Sequence, residues 1–250
     1  MTAEAWEAFL FGGAAGFSLL LGSLVAAFVP IGRKFLAIVT AFGAGVLIAS
    51  MAFGLMEEAY RRGGFDAASL GILSGGVLYY AVHWLIYRHD RSHHGWHPYA
   101  ATVAWKKASA SGMSILVGAI LDGLPEQFSI GVGVRAGSNL GLLVMGAVFL
   151  SNLPEAMAAT HDLLGVQGRA RLFGIWAVMG LISTATTMAG YFFAHLISND
   201  VLGGLMAFAG GAVLAMVADT MLPDALSGGG RVVSIATVLG FLVSFILSRL

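Results

Sequence analysis

The chain has 250 residues, of which 58% are hydrophobic and 10% are charged, and its 13 basic side chains balance its 13 acidic ones. Soluble domains average about 45–50% apolar and about 25% charged residues, so this composition excludes an ordinary soluble domain. The absence of cysteine excludes disulfides, thiolate metal sites and cysteine nucleophiles, and the balanced charge offers no basic surface to nucleic acid. The composition therefore predicts an integral membrane protein.

Apolar stretches long enough to cross a bilayer recur along the whole chain. A spanning helix needs about 20 mostly apolar residues, and we predict eight such transmembrane helices in one all-α domain over residues 1–250. The segment before the first helix lacks the basic residues of a signal peptide, so we expect that helix to stay in the mature protein. The predicted spans are 6–29, 35–56, 67–87, 111–134, 140–161, 172–196, 201–222 and 231–249.

The connections between the spans indicate their breaks and their orientation. Residues 30–34, 137–139 and 227–231 are rich in proline, glycine or polar residues, which is typical of turns. Nine lysines and arginines fall in the loops after odd-numbered spans, against four in the termini and the other loops. Cytoplasmic loops carry the excess of positive charge, so we expect both termini outside and the loop over 88–110 in the cytoplasm.

Two six-residue strings place acidic side chains inside the fourth and fifth spans. Residues 121–126 read Leu-Asp-Gly-Leu-Pro-Glu, and residues 150–155 read Leu-Ser-Asn-Leu-Pro-Glu. In each string the second residue and the glutamate four positions later share one helix face. Acids at membrane depth cost roughly 2.5–3.5 kcal/mol and usually belong to a site or pathway. The candidate site residues are therefore Asp122, Glu126, Ser151, Asn152 and Glu155.

A proline precedes the glutamate in each string, namely Pro125 and Pro154. Proline removes one backbone hydrogen bond and clashes with the carbonyl four residues back, so we expect both central helices to be kinked beside the polar side chains. Freed backbone groups are tolerated at this depth where protein or a water-filled cavity satisfies them. The pattern favours a wet pocket in which a divalent cation neutralises the carboxylates. Protonated or hydrogen-bonded packing residues are the alternative.

On these two strings the sequence resembles the ZIP family of divalent-metal transporters. ZIP proteins carry His-Asn-x-Pro-Glu-Gly in the fourth span and a polar-polar-x-Pro-Glu-Gly counterpart in the fifth. Weaker similarities lie at 41–46 in the second span and 222–225 at the end of the seventh. The resemblance implies a homodimer in the plasma membrane (the inner membrane of a bacterium) with eight spans and both termini outside. It also implies a metal site between spans four and five, and inward transport of metal by alternating access.

The strings also depart from the ZIP pattern. Asp122 stands where a ligand histidine is usual, Gly123 replaces the asparagine, and Gln127 and Ala156 replace the two glycines after the glutamates. The sixth span reads Ser-Thr-Ala-Thr-Thr over 183–187 and has no acid, so we expect one metal position rather than two. Oxygen ligands suit Mn²⁺, whereas imidazole suits zinc and iron, although zinc also accepts carboxylates. Zinc is the family default, with manganese and ferrous iron as rivals.

Four histidines lie in the predicted cytoplasmic loop, and one acid lies deep in the seventh span. Imidazoles at this density could collect or release metal on the cytoplasmic side, and a solvated polar loop is an equal alternative. Asp219 is a candidate for the ion pathway. The histidines are His89, His93, His94 and His97.

Two other functions compete with metal transport. Glu57 and Glu58 with Arg62, and His195 with Asn199, match short motifs of glutamate-dependent intramembrane proteases, in which glutamate and histidine activate a water. A channel for a polar substrate or for protons is the second alternative. A protease leaves the paired Pro-Glu strings without a role, and transport needs no covalent chemistry. We therefore predict a transporter that is not an enzyme and needs no cofactor.

Overall fold

The computed structural model describes residues 2–88, 112–164 and 167–249, and over these ranges the chain is helical and contains no β-strand. The all-α prediction is confirmed. Two π-helical segments, Met51–Met56 and Val217–Met221, lie between α-helices. The helices are α1 (Ala3–Phe28), α2 (Arg33–Ser50), α3 (Glu57–Arg88), α4 (Gly112–Ala136), α5 (Ser138–Leu163), α6 (Arg169–His195), α7 (Asn199–Met216), α8 (Leu222–Gly229) and α9 (Val232–Leu247).

Several helices have the length and composition of membrane spans. Within the described residues five helical stretches qualify, and α9 is a shorter apolar helix. Large apolar side chains such as Leu70 and Leu181 are 70% and 72% exposed on the outer faces, where lipid would cover them. These features indicate an integral membrane protein, whereas the count of eight spans stays a prediction. The five stretches are Ala3–Phe28, Arg33–Leu85, Asn139–His161, Arg169–His195 and Asp200–Gly229.

The connection between the predicted second and third spans is shorter than expected. The sequence predicts a loop over 57–66, whereas the helix continues through this segment and is interrupted only at Gly64 (φ 69°, ψ −172°). This region of backbone conformation is essentially restricted to glycine, so a single glycine turns the chain where a loop was expected. The other breaks agree with the prediction, since α1 ends at Phe28 and Gly137 alone separates α4 from α5.

The π-helical segments were not predicted, although one of them has a cause in the sequence. Pro223 follows Asp219 by four residues, and in an α-helix its ring would clash with the Asp219 carbonyl. An extra residue in the turn relieves that clash, which explains the segment Val217–Met221. No proline follows Met51–Met56 in the same way, and nothing in the structure explains that segment.

The helices pack as three groups, and the candidate site lies within one of them. The first group contains α1, α4, α5 and α6, the second contains α2, α8 and α9, and the third contains α3 and α7. Contacts of α2 with α5, and of α4 with α7, join the groups. At the first of these junctions a β-carbon placed on Gly43 would lie 3.0 Å from the Cα of Ser151. Such a close approach of two backbones favours glycine at this position.

Candidate functional site

A cleft lies inside the group formed by α1, α4, α5 and α6. Its volume, including the open side, is about 330 Å³. Leu19, Trp176 and Met179 are among its apolar lining residues. Five further lining residues carry a carboxylate, carboxamide or hydroxyl group. These polar side chains belong to Gln127, Asn152, Glu155, Ser183 and Thr186.

The two Pro-Glu strings lie on neighbouring helices that are joined by one residue. Pro125 lies within α4 and Pro154 within α5, and the helical conformation continues through both. Gly137 connects the helices at φ 157° and ψ 137°, a conformation that favours glycine. α4 and α5 contact each other. This arrangement agrees with the expected pairing of the fourth and fifth spans.

The two glutamates of the strings occupy different positions relative to the cleft. Glu155 lines it, whereas Glu126 has no exposed surface and is not among the lining residues. The Ser129 hydroxyl donates to the main-chain carbonyl of Glu126 at 2.6 Å, which adds a side-chain hydrogen bond to this turn of α4. In this conformation an ion in the cleft would therefore meet Glu155 before Glu126.

Ser151 and Asn152 are both buried, but they form different hydrogen bonds and differ in their position relative to the cleft. Asn152 lines the cleft, and its Nδ2 donates to the main-chain carbonyl of Ala15 in α1 at 3.0 Å. This bond orients the carboxamide and leaves Oδ1 as its acceptor atom. The Ser151 hydroxyl donates to the Val148 carbonyl of its own helix at 3.0 Å, and Ser151 does not line the cleft. Asn152 is thus better placed than Ser151 to act on an ion.

Several predicted site residues lie outside the part of the chain whose side chains are described. These are the side chain of Asp122 and all four histidines of the predicted loop, His89, His93, His94 and His97. Among the side chains that are described, no group of three or more His, Cys, Asp or Glu residues is placed to hold a metal ion. The five-residue metal shell and the histidine loop therefore stay predictions.

The sequence analysis missed three polar residues that line the cleft. Gln127 was read only as a departure from the ZIP pattern, and Ser183 and Thr186 only as a segment without an acid. Their spacing of three residues places Ser183 and Thr186 on one face of α6, and this spacing was the available signal. The Trp176 ring beside them is held by a hydrogen bond from its Nε1 to the Thr160 hydroxyl at 2.9 Å.

Asp219 contacts a histidine of α3. Its Oδ2 lies 2.6 Å from Nδ1 of His83, and the His83 ring stacks on Tyr79 at 5.7 Å between centroids. Asp219 does not line the cleft. This contact joins α3 to the π-helical segment between α7 and α8. It supports a structural role for Asp219, in which the residue holds these helices together.

The residues of the protease-like motifs have separate partners. Glu58 forms ion pairs with Arg61 at 2.6 Å and with Arg62 at 2.5 Å. The His195 ring stacks on Tyr191 at 6.1 Å between centroids, and the side chain of Asn199 lies outside those described. Among the described contacts, none joins Glu58 to His195.

Comparisons with known proteins add no assignment: no protein-family model matches the chain, and no curated protein matches it.

Proposed function

We propose that the protein transports divalent metal cations into the cytoplasm, with the cleft as its ion-binding site. The observation that carries this proposal is that the lining residues of a single cleft include one carboxylate, two carboxamide and two hydroxyl residues. Oxygen donors of this kind suit Mn²⁺. Mn²⁺ is therefore the first candidate ion, and Zn²⁺ and Fe²⁺, which the ZIP resemblance implies, are tested beside it.

The charge of the cleft favours a cation over an anion. Glu155 lines the cleft, Glu126 is buried on the neighbouring helix, and the described lining residues include no lysine or arginine. Removing a carboxylate from water costs several kcal/mol unless hydrogen bonds or a cation compensate. A divalent ion in the cleft would be attracted by the Glu155 carboxylate, and the polar side chains would replace part of its hydration shell.

Alternating access is part of this proposal. All residues that line the cleft belong to α1, α4, α5 and α6, which pack on one another, and this packing supports a movement of these four helices as one unit. The junction at Gly43 and Ser151 brings backbones together without large side chains between them. The eight-span topology, the outward termini, the homodimer and the inward direction belong to this proposal and rest on charge bias and resemblance.

Uptake of Mn²⁺, Zn²⁺ and Fe²⁺ into proteoliposomes tests the proposal. Glu155→Gln removes the charge that lines the cleft while keeping the size of the side chain, and we expect it to abolish uptake. Glu126→Gln should also abolish uptake, while leaving part of the initial Mn²⁺ binding, because Glu126 is sealed in this conformation.

Glu58→Gln is the matched control, since Glu58 lies in ion pairs away from the cleft. We expect this variant to keep its uptake. Loss of uptake in Glu58→Gln together with normal uptake in Glu155→Gln would contradict the proposal and would favour the protease-like reading of the sequence. If Glu58→Gln and Glu155→Gln both took up metal at the wild-type rate, the ion would bind outside the cleft, which would also contradict the proposal.

A further inference from the structure

We infer that Gln127 is a ligand-binding residue of the cleft whose carboxamide oxygen coordinates the transported ion, directly or through one water, and favours Mn²⁺ over Zn²⁺. The inference rests on the proposed function, because it assigns a role in selectivity within the same cleft. Gln127 directly follows the first Pro-Glu string, at a position where the ZIP pattern has a glycine. The ZIP pattern therefore does not predict an oxygen ligand at this position.

The burial of Gln127 is the first observation. The residue is 2% exposed, and its side chain lines the cleft. Both Nε2 and Oε1 are buried without a hydrogen-bond partner among the described residues. Most buried polar side-chain atoms in proteins have a partner, and each exception calls for an explanation such as a water or an ion. The cleft is the space from which such a partner can reach this carboxamide.

The backbone at Gln127 is held in place by a neighbouring helix. The Thr187 hydroxyl of α6 donates to the main-chain carbonyl of Gln127 at 3.1 Å. A β-carbon placed on Gly190 would lie 2.5 Å from the Phe128 carbonyl, so α4 and α6 are in backbone contact one residue further along. These two contacts hold the backbone of α4 at Gln127 against α6.

The chemistry of the lining residues explains why this donor would affect selectivity. Zn²⁺ is usually satisfied by four ligands, whereas Mn²⁺ belongs to the ions that suit octahedral oxygen coordination. Glu155, Asn152 and Gln127 each offer an oxygen atom, and hydroxyls come from Ser183 and Thr186. A neutral amide oxygen adds a ligand without adding charge. Its removal should therefore weaken Mn²⁺ binding more than Zn²⁺ binding.

Gln127→Met tests the inference, because methionine keeps the length of the side chain and removes both polar atoms. Binding of Mn²⁺ and Zn²⁺ to the purified full-length protein is measured by calorimetry, and free Mn²⁺ is followed by its electron paramagnetic resonance signal. We expect Gln127→Met to raise the Kd for Mn²⁺ about tenfold and the Kd for Zn²⁺ by a factor of about three or less. The metal-free protein should melt about 2–4 °C higher, because an unsatisfied buried amide is removed.

Three further variants make the result decisive. Gln167→Met is the matched control, since Gln167 is buried beyond the end of α5 and does not line the cleft. Gln127→Glu keeps an oxygen donor and should bind Mn²⁺ at least as tightly as the wild type, which covers the case in which Gln127→Met fails to fold. Glu155→Gln measured in parallel reports on the proposed function itself.

The outcomes separate the two levels of the argument. Loss of Mn²⁺ binding in Glu155→Gln with unchanged Mn²⁺ and Zn²⁺ binding in Gln127→Met would overturn the role of Gln127 and leave the proposed function standing. Unchanged binding in Glu155→Gln would overturn the proposed function. Weaker Mn²⁺ binding in folded Gln127→Glu, or an equal loss for both metals in Gln127→Met, would also refute the role given to the carboxamide.

Discussion

Asn152 allows a direct test of the contact that positions the cleft against α1. Its Nδ2 donates to the Ala15 carbonyl at 3.0 Å, and the residue is 1% exposed. Asn152→Leu removes one buried neutral hydrogen bond, which is worth about 1 kcal/mol. The larger penalty for an orphaned acceptor does not arise, because the Ser18 hydroxyl donates to the same carbonyl at 2.7 Å. We therefore expect the melting temperature to fall by about 2–4 °C.

Asn152→Asp perturbs the same contact more strongly. The carboxylate lacks the N–H donor and places a charged oxygen against the Ala15 carbonyl in a buried position. An unpaired buried charge costs about 3–5 kcal/mol, so the metal-free variant should melt about 10 °C below the wild type at neutral pH. Acidification protonates the carboxylate, which then has an O–H group that can donate to the Ala15 carbonyl. The difference in melting temperature between the variant and the wild type should therefore become smaller at acidic pH. Mn²⁺ in the cleft would pair with the new carboxylate, and should therefore stabilise this variant more than the wild type.

Intrinsic tryptophan fluorescence during thermal unfolding measures both effects in detergent-solubilised protein. Wild type, Asn152→Leu and Asn152→Asp are compared with a chelator and with Mn²⁺, at neutral and at acidic pH. If Asn152→Asp and Asn152→Leu had the same melting temperature at every pH without metal, the buried contact with Ala15 would be refuted. If Mn²⁺ raised the melting temperature of Asn152→Asp no more than that of the wild type, the ion would bind away from Asn152.

Two further experiments test the contacts between helices outside the cleft. Gly43→Ala places a β-carbon 3.0 Å from the Cα of Ser151, a backbone atom that no side-chain rotation can move. We expect uptake to slow about fivefold while Mn²⁺ affinity stays within about twofold, and an unchanged uptake rate would contradict movement at this junction. For the pair His83 and Asp219, 2.6 Å apart, a double-mutant cycle of His83→Gln and Asp219→Asn on thermal stability should give a coupling of about 1 kcal/mol. Strictly additive effects would argue against the contact.

The fold could be predicted from the sequence to the extent that apolar length determines it. The stretches of about 20 apolar residues and the turn residues near Pro30 and Gly137 correspond to helices and breaks of the structure. The continuation of α3 through 57–63 could not be predicted, because Glu57, Glu58 and Arg61 read as a polar loop. Helix is tolerated there because Glu58 pairs with Arg61 one turn further along the helix, and Glu57 lies 3.3 Å from Arg249 near the end of the chain.

The candidate site was predicted less completely than the fold. The strings identify Asn152 and Glu155, which line the cleft, but they give the same weight to Ser151 and Glu126, which do not. Which residue of a string faces the cleft depends on the rotation of its helix, and that rotation is set by packing against other helices. Gln127 shows the same limit, since its role in the cleft depends on where α6 lies rather than on its own string.

The first helix determines where the second Pro-Glu string lies, although the resemblance assigns the metal site to the fourth and fifth spans alone. The main-chain carbonyl of Ala15 accepts a hydrogen bond from the Asn152 carboxamide. Gly22 lies so close to the Leu153 carbonyl that a β-carbon placed on Gly22 would collide with it. Positions 15, 18 and 22 recur at helical spacing and carry small residues, so α1 presents a face on which the backbone of α5 can rest. Proline at 154 deprives the Leu150 carbonyl of its usual helical donor, which makes tertiary support for this turn more valuable. A substitution on this face of α1 should therefore disturb ion binding although no ligand is altered, because the donors of α5 would shift together.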